Sequence, residues 1–401
     1  MAYPSIQYAG KVCRQTILTL LLSVPGAAFA ATLNVGPGKP YSTPCQALRI
    51  AANGDEIDID GSVKYVGDVC SFNASNLTIK GVNGRPKIDA AGLGAAGKGL
   101  WVIEGSQTVI ENVELLGAKV TDRNGAGIRL DGVGLIVRGS FIHDNENGIL
   151  TNNDGVSNIL IENTEFGHNG YGDGQSHNIY VGKVASLIFR NNYSHDANVG
   201  HNLKSRARVN TISYNRFSST PPGQAGSTAS GQPSYEVDIP SGGTAYVIGN
   251  VIEQPAANQN YILLSYGEEG VTNPADDLYV VNNTFLNDAT QGIFVKVGAT
   301  VKTAALIQNN VFAGTGSISS QATAILKTNY QAPQPAFVNR AAYNLYPATG
   351  APFINAGTTP GLSIEGVALA PIVEYLHVAA GSCRQTVGAI DIGAYEAPAG
   401  K

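Results

Sequence analysis

Apolar residues recur along this chain in short alternating runs, each closed by a small or polar residue, and the runs repeat. Val109-Ile110-Glu111-Asn112, Ile136-Val137-Arg138-Gly139, Leu160-Ile161-Glu162-Asn163 and Ile188-Phe189-Arg190-Asn191 share one template. Ile212-Ser213-Tyr214-Asn215, Val247-Ile248-Gly249-Asn250, Val280-Val281-Asn282-Asn283 and Ile307-Gln308-Asn309-Asn310 continue it. An aromatic residue follows two or three places on at Phe141, Phe166, Tyr193, Phe217, Phe285 and Phe312. A second template lies between copies of the first, beginning at Gly127, Gly148, Asn178, Asn202, Tyr235, Tyr261 and Gly292. The period is about 21 to 35 residues, with the extra length between strands. Alternation predicts half-buried strands. A fixed period of two or three strands means that no unit buries its apolar face alone. The expected fold is all-β: a single-domain right-handed parallel β-helix, with Asn at turns bonding to its copy one coil away. A leucine-rich repeat is set aside, because the Leu-x-x-Leu-x-Leu frame is missing.

The ends fit a solenoid. Pro44 to Ala52 reads as a short amphipathic helix that caps the open core, an N-terminal capping helix. Gly388 to Glu396 resembles a closing segment of secreted β-helix proteins. Residues 1–30 read as a signal peptide, with Lys11 and Arg14, an apolar run from Ile17 to Val24, and Ala28-Phe29-Ala30. That run is shorter than the roughly twenty residues of a membrane span. The expected organisation is a signal peptide over 1–30, a cap and first coil over 31–75, the β-helix over 76–330 and an irregular capping segment over 331–401. A secreted or periplasmic location follows, with no membrane span.

Composition changes the picture in two places. Among four cysteines, Cys13 leaves with the signal peptide, and Cys383 is odd. Cys45 and Cys70 are placed to pair after export, which would contribute about 3 kcal/mol. The formal net charge of −5, with export, argues against nucleic acid. A monomer is expected.

Chemistry concentrates in one stretch. Alternation puts Ile179 and Leu203 in the core and points Tyr180 and Lys204 outward. His177-Asn178-Ile179-Tyr180-Val181 and His201-Asn202-Leu203-Lys204-Ser205 then stack in register, one coil apart. On the next coil, core parity for Tyr235 and Val237 sends Glu236 and Asp238 outward beside Lys204. Lys183, Arg190, Lys204, Arg206, Arg208 and Arg216 face one acid, Asp196, between residues 177 and 216. Such an island attracts anionic ligands. His143, His168 and His195 form a further ladder, which is expected to be structural. Residues 218–233 are a low-complexity insertion, either a linker or a flap beside the cleft.

The run Asn202-Leu203-Lys204-Ser205-Arg206-Ala207-Arg208-Val209-Asn210 resembles the alginate lyase and chondroitinase B group of β-helix lyases, in which a Lys-Ser pair ends one strand. The chain as a whole is similar to the wider pectate-lyase-like and mannuronate-epimerase superfamily over nearly all its mature length. The resemblance implies that Lys204 abstracts the proton beside a uronate carboxyl group. The lyases carry an arginine acid on the following coil, where this chain has Ser234-Tyr235-Glu236-Val237-Asp238. Some members hold calcium on acids near the lysine, but the residue order here differs, so calcium stays open and no metal ligand is assigned.

These readings converge on an acidic, uronate-containing polysaccharide or oligosaccharide as partner. β-Elimination would use Lys204 as base, its pKa lowered by neighbouring cations. Arg206 or Arg208 would neutralise the carboxylate, and Tyr180 or His201 would act as acid. His177, Asn178, Asn202, Arg208, Glu236 and Asp238 would bind substrate. C5-epimerisation shares the first half of this chemistry. Hydrolysis needs two carboxyl groups, which Glu236 and Asp238 would supply about 6.7 Å apart. A non-catalytic carbohydrate-binding protein would use outward aromatics, for which Tyr180, Tyr266 and Phe294 are the candidates.

Overall fold

The computed structural model describes residues 30–218 and 233–398. The expected signal peptide, residue 30 apart, and nearly all of the low-complexity insertion lie outside the described residues.

Both sequence templates become sheets. Copies of the first lie in a 12-stranded sheet and copies of the second in a 10-stranded sheet. The segments that follow the first template form an 11-stranded sheet between them in chain order. The chain visits the 12-stranded, the 11-stranded and the 10-stranded sheet in turn, here the first, second and third, so each coil is three short strands. Within these three sheets strands pair in parallel with their counterparts one coil away: Ser186–Arg190 has Asn158–Glu162 on one side and Val209–Ser213 on the other. A parallel β-helix is the fold expected from the period.

The core is built column by column. In the first sheet, Ile110, Val137, Ile161, Phe189, Ile212, Val247, Val280 and Ile307 stand in one fully buried column. In the second, Phe166, Phe217, Phe285 and Phe312 point inward and are fully buried. Phe141 and Tyr193 sit one residue out of that register, opposite Glu165, on the outer face.

The turn asparagines divide into two adjacent rows. Asn112, Asn163 and Asn191 take left-handed backbone. One residue on, Asn192, Asn215, Asn250, Asn283, Asn310 and Asn329 form a ladder in which each amide donates to the next carbonyl oxygen, at 2.9 to 3.2 Å. The register that pairs Arg190 with Ser213, carried one and two residues on, aligns Asn191 with Tyr214 and Asn192 with Asn215.

The capping helix is shorter than the sequence suggests, Pro44–Leu48 rather than to Ala52. The Asp55 carboxylate draws the Ala52 N–H to itself at 2.8 Å and turns the chain away. Cys45 in this helix is bonded to Cys70, the start of the third sheet, across 5.7 Å between Cα atoms.

The C-terminal segment does not close the far end. It folds back along the outer faces of the first and second sheets. Leu369 packs on Tyr246, Ile248 and Tyr279, and Ala394 and Tyr395 pack on Val251, Leu286 and Ala313. Buried Arg384 ties it together through Glu396 and the carbonyls of Gly393 and Asp391. In the last coil Ile325 and Leu326 remain exposed.

Candidate functional site

On the third sheet the residues between core positions form one outward column. Arg129, Leu150, Tyr180, Lys204, Asp238, Ser265 and Lys296 follow one another coil by coil. A cleft of about 660 Å³ opens above its middle. Tyr180, Lys204, Arg206 and His177 line its floor and wall, with Asp122, Arg123 and Asp173 from turns and Glu269 from a turn two coils on from Lys204.

Lys204 is clamped between two carboxylates. Its ammonium lies 3.1 Å from Asp238 and donates to Glu269 at 2.8 Å. Arg206 also binds Glu269, and its Nε donates to the Tyr180 hydroxyl oxygen at 2.8 Å. Burial pulls the Lys204 pKa down, but Asp238 and Glu269 outweigh it and hold the group above its ordinary value. The expected lowering by neighbouring cations is therefore reversed, because two anions stand closer than any cation. Burial would raise the Glu269 carboxyl, yet its bonds to Lys204 and Arg206 hold it below its ordinary range.

His177 and His201 stack at 4.5 Å between ring centres, and Tyr235 continues the stack. The Nδ1 of His177 accepts the His201 N–H at 3.0 Å, and the Nδ1 of His201 accepts the Tyr235 N–H at 3.2 Å. A nitrogen that accepts is unprotonated, so in the neutral rings the proton sits on Nε2. Burial, with the charges of Lys204 and Arg206, holds His177 at about 3, and His201 falls well below its ordinary value through burial, His177 and Lys204. Both are neutral at physiological pH, so His201 cannot serve as a cationic acid.

Three expected substrate contacts lie below the surface. Asn178, Asn202 and Glu236 are fully buried and join Asn145 and Asn169 in a second ladder, where Asn178 donates to Asn202 at 2.8 Å and Asn202 donates to Glu236 at 2.6 Å. Glu236 thus points inward rather than onto the face, and Tyr235 is not a core residue. The strand begins only at Val237, so alternation does not extend back through the turn. Burial raises the Glu236 carboxyl well above its usual range.

The basic island disperses. Arg190 pairs with Glu162 on the first sheet, and Arg216 stacks between Tyr193 and Tyr343 on the second. Arg208 is exposed outside the cleft wall. Only Lys204 and Arg206 of the six reach the cleft. The expected platform also contracts, since Tyr266 and Phe294 are fully buried and Tyr180 alone faces outward. Glu269, which sequence reading missed, has one visible signal: an acid pair flanked by glycines, Gly267-Glu268-Glu269-Gly270, directly after a third-sheet strand.

Calcium does not suit this donor set. The ion takes six to eight oxygens, whereas Asp238 and Glu269 are both occupied by an ammonium or guanidinium. No step is derived through it.

A family model described as "Right handed beta helix region" matches residues 63–252. The chain folds as a right-handed β-helix. The crystal structure of pectate lyase Pel9A is similar to this β-helix over 92% of the present chain and 96% of its own, with a TM-score of 0.65 at 16% identity. ORF18 of Geobacillus virus E2 aligns over 71% of this chain and 54% of its own, with a TM-score of 0.42 and 16% identity. No curated protein matches the sequence. At such identities the likeness to Pel9A is one of fold. Among the described residues no helix is long and apolar enough to cross a membrane.

Proposed function

We propose that this β-helix is an exported, carbohydrate-active enzyme that cleaves a uronate-containing polysaccharide by β-elimination in the third-sheet cleft. The observation that carries the proposal is the position of Glu269, a half-exposed carboxylate held by Lys204 and Arg206 beside Tyr180. A uronate carboxylate is the chemical equivalent of that group. Substrate entering the cleft displaces Glu269, and Arg206 then neutralises the carboxylate as charge spreads into the enolate. Lys204, once deprotonated, takes the C5 proton. The bond from C4 to the leaving oxygen breaks, and Tyr180 donates its proton to that oxygen. The Tyr180 oxygen already accepts from Arg206, which leaves its own proton to point elsewhere. His177 offers Nε2–H as a neutral donor. The Cys45–Cys70 bond supports an oxidising compartment.

C5-epimerisation remains the nearest alternative, since it shares the base and the carboxylate clamp. The Glu236–Asp238 pair that hydrolysis would use is not on this face, because Glu236 is buried in the ladder, and the carboxylates that are there, Asp238 and Glu269, are both bound to Lys204.

Absorbance near 235 nm tests the proposal. The purified chain, incubated with polyuronates, should generate unsaturated product, and Lys204→Ala should abolish the signal. Since Lys204 must shed its proton first, the rate should climb with pH on the alkaline side. Glu269→Gln removes an anion that raises the Lys204 pKa, so that limb should move to lower pH. A flat absorbance across the panel rejects elimination of those polymers.

A further inference from the structure

A second site lies away from the cleft, where the second sheet turns toward the third. His168, His195 and Asp196 each offer a ligand atom there, all within 4.8 Å of one another. The Asp196 Oδ2 lies 2.7 Å from His195 Nδ1 and 3.6 Å from His168 Nε2. Asp196 is fully buried and His195 nearly so, whereas His168 borders a cavity of about 360 Å³ shared with Asp144 and Tyr171. We propose that His168, His195 and Asp196 form a binding site for a divalent transition metal of the zinc class.

Three observations support it independently of the cleft. Tetrahedral zinc with bonds near 2.1 Å spaces its donors about 3.4 Å apart, and the separations here bracket that value. The remaining nitrogen of His195, Nε2, lies 3.3 Å from Glu165 Oε1, which gives the carboxylate–histidine–metal order that orients a ligating imidazole. Position 167 is glycine, and a Cβ there would come within 2.8 Å of His195 Nε2, so the missing side chain makes room for the ring. On the cavity side a water could complete the coordination. Glu114, His143 and Asp144 repeat the Glu–His–Asp order on an earlier coil, but Asp144 is largely exposed and this set lies outside the three-ligand cluster.

The ion would fasten a turn that supports the cleft. The His195 carbonyl accepts from Asn178 at 2.8 Å, and Asn202 accepts from the Ala197 N–H at 3.3 Å. Those asparagines precede the strands that carry Tyr180 and Lys204.

The test uses the purified chain stripped with EDTA and titrated with ZnCl2 by calorimetry, then with CoCl2 by visible absorption. One equivalent of each should bind, cobalt with the bands of a nitrogen–oxygen site, and zinc should raise the melting temperature. His168→Gln and Asp196→Asn should each weaken binding at least tenfold, and Glu165→Gln about 10- to 100-fold. His143→Gln should bind as the parent does. Asp196 is buried, so circular dichroism and melting of His168→Gln, at a partly exposed position, separate lost ligation from lost fold. A parent protein whose heat signal and melting temperature ignore zinc overturns the site, as does full binding by a folded His168→Gln.

Discussion

The two buried ladders of this solenoid do the same mechanical work with different residues. Between the first and second sheets, Asn192 to Asn329 are chemically uniform, each amide satisfying the next. Between the second and third sheets the ladder starts with Asn145 and Asn169, shifts to the strand-start positions Asn178 and Asn202, and reaches a carboxyl group at Glu236. Among the described residues, one Glu236 oxygen has no hydrogen-bond partner. No residue of the uniform ladder lines the Lys204 cleft. The uneven one borders both the Lys204 cleft and the His168–His195–Asp196 cluster. Stacking alone asks only for repetition, so the place where repetition lapses is where the chain has been shaped for something else.

Breaking the uniform ladder should have the largest effect. Asn250→Ala would strip partners from the Asn215 N–H and the Ile212 carbonyl, both buried. A loss of about 3 kcal/mol is expected in chemical denaturation. Repairing the uneven ladder should act in the opposite direction. Glu236→Gln supplies the amide that the stack otherwise repeats, and should stabilise by about 1 kcal/mol at neutral pH. The sign follows from burial, which raises the folded-state pKa of Glu236 above that of the unfolded chain. The acid therefore costs stability once pH exceeds the unfolded value, and nothing below it. The gain should vanish near pH 4, where the unfolded glutamate is itself protonated, and a gain unchanged at that pH would break the comparison. The smallest effect belongs to the dispersed cations. Arg190→Ala removes a half-exposed guanidinium from Glu162, which keeps its pair with Arg138, and should cost at most about 0.5 kcal/mol, with activity unchanged.

How much of this was legible in the sequence depended on whether the period carried it. The row Tyr180, Lys204, Asp238 follows from one-coil spacing and strand alternation. Glu236 escapes that alternation because the strand begins only at Val237, and in the turn before it the backbone rotates and parity lapses. The clustered arginines misled for a related reason. Residues close in sequence are sent to three faces by three strands per coil, so a linear cluster is not a patch. Glu269 lies 65 residues from Lys204, in a turn that no repeat marks. Without it the electrostatics of Lys204 had the wrong sign.

The C-terminal segment has a consequence for the order of events in synthesis. Its docking surface is assembled from several separate coils: Val251, Leu286 and Ala313 for Ala394 and Tyr395, and Tyr246 and Tyr279 for Leu369. No fragment of the solenoid shorter than those coils presents that surface. Coils can stack one upon another as they emerge, each templated by the edge left open before it. This segment, made after the coils it covers, can close only over a finished stack, so its docking serves as a latch that reports their completion. A chain truncated before Leu369 should still wind, but should fray from its last coils first.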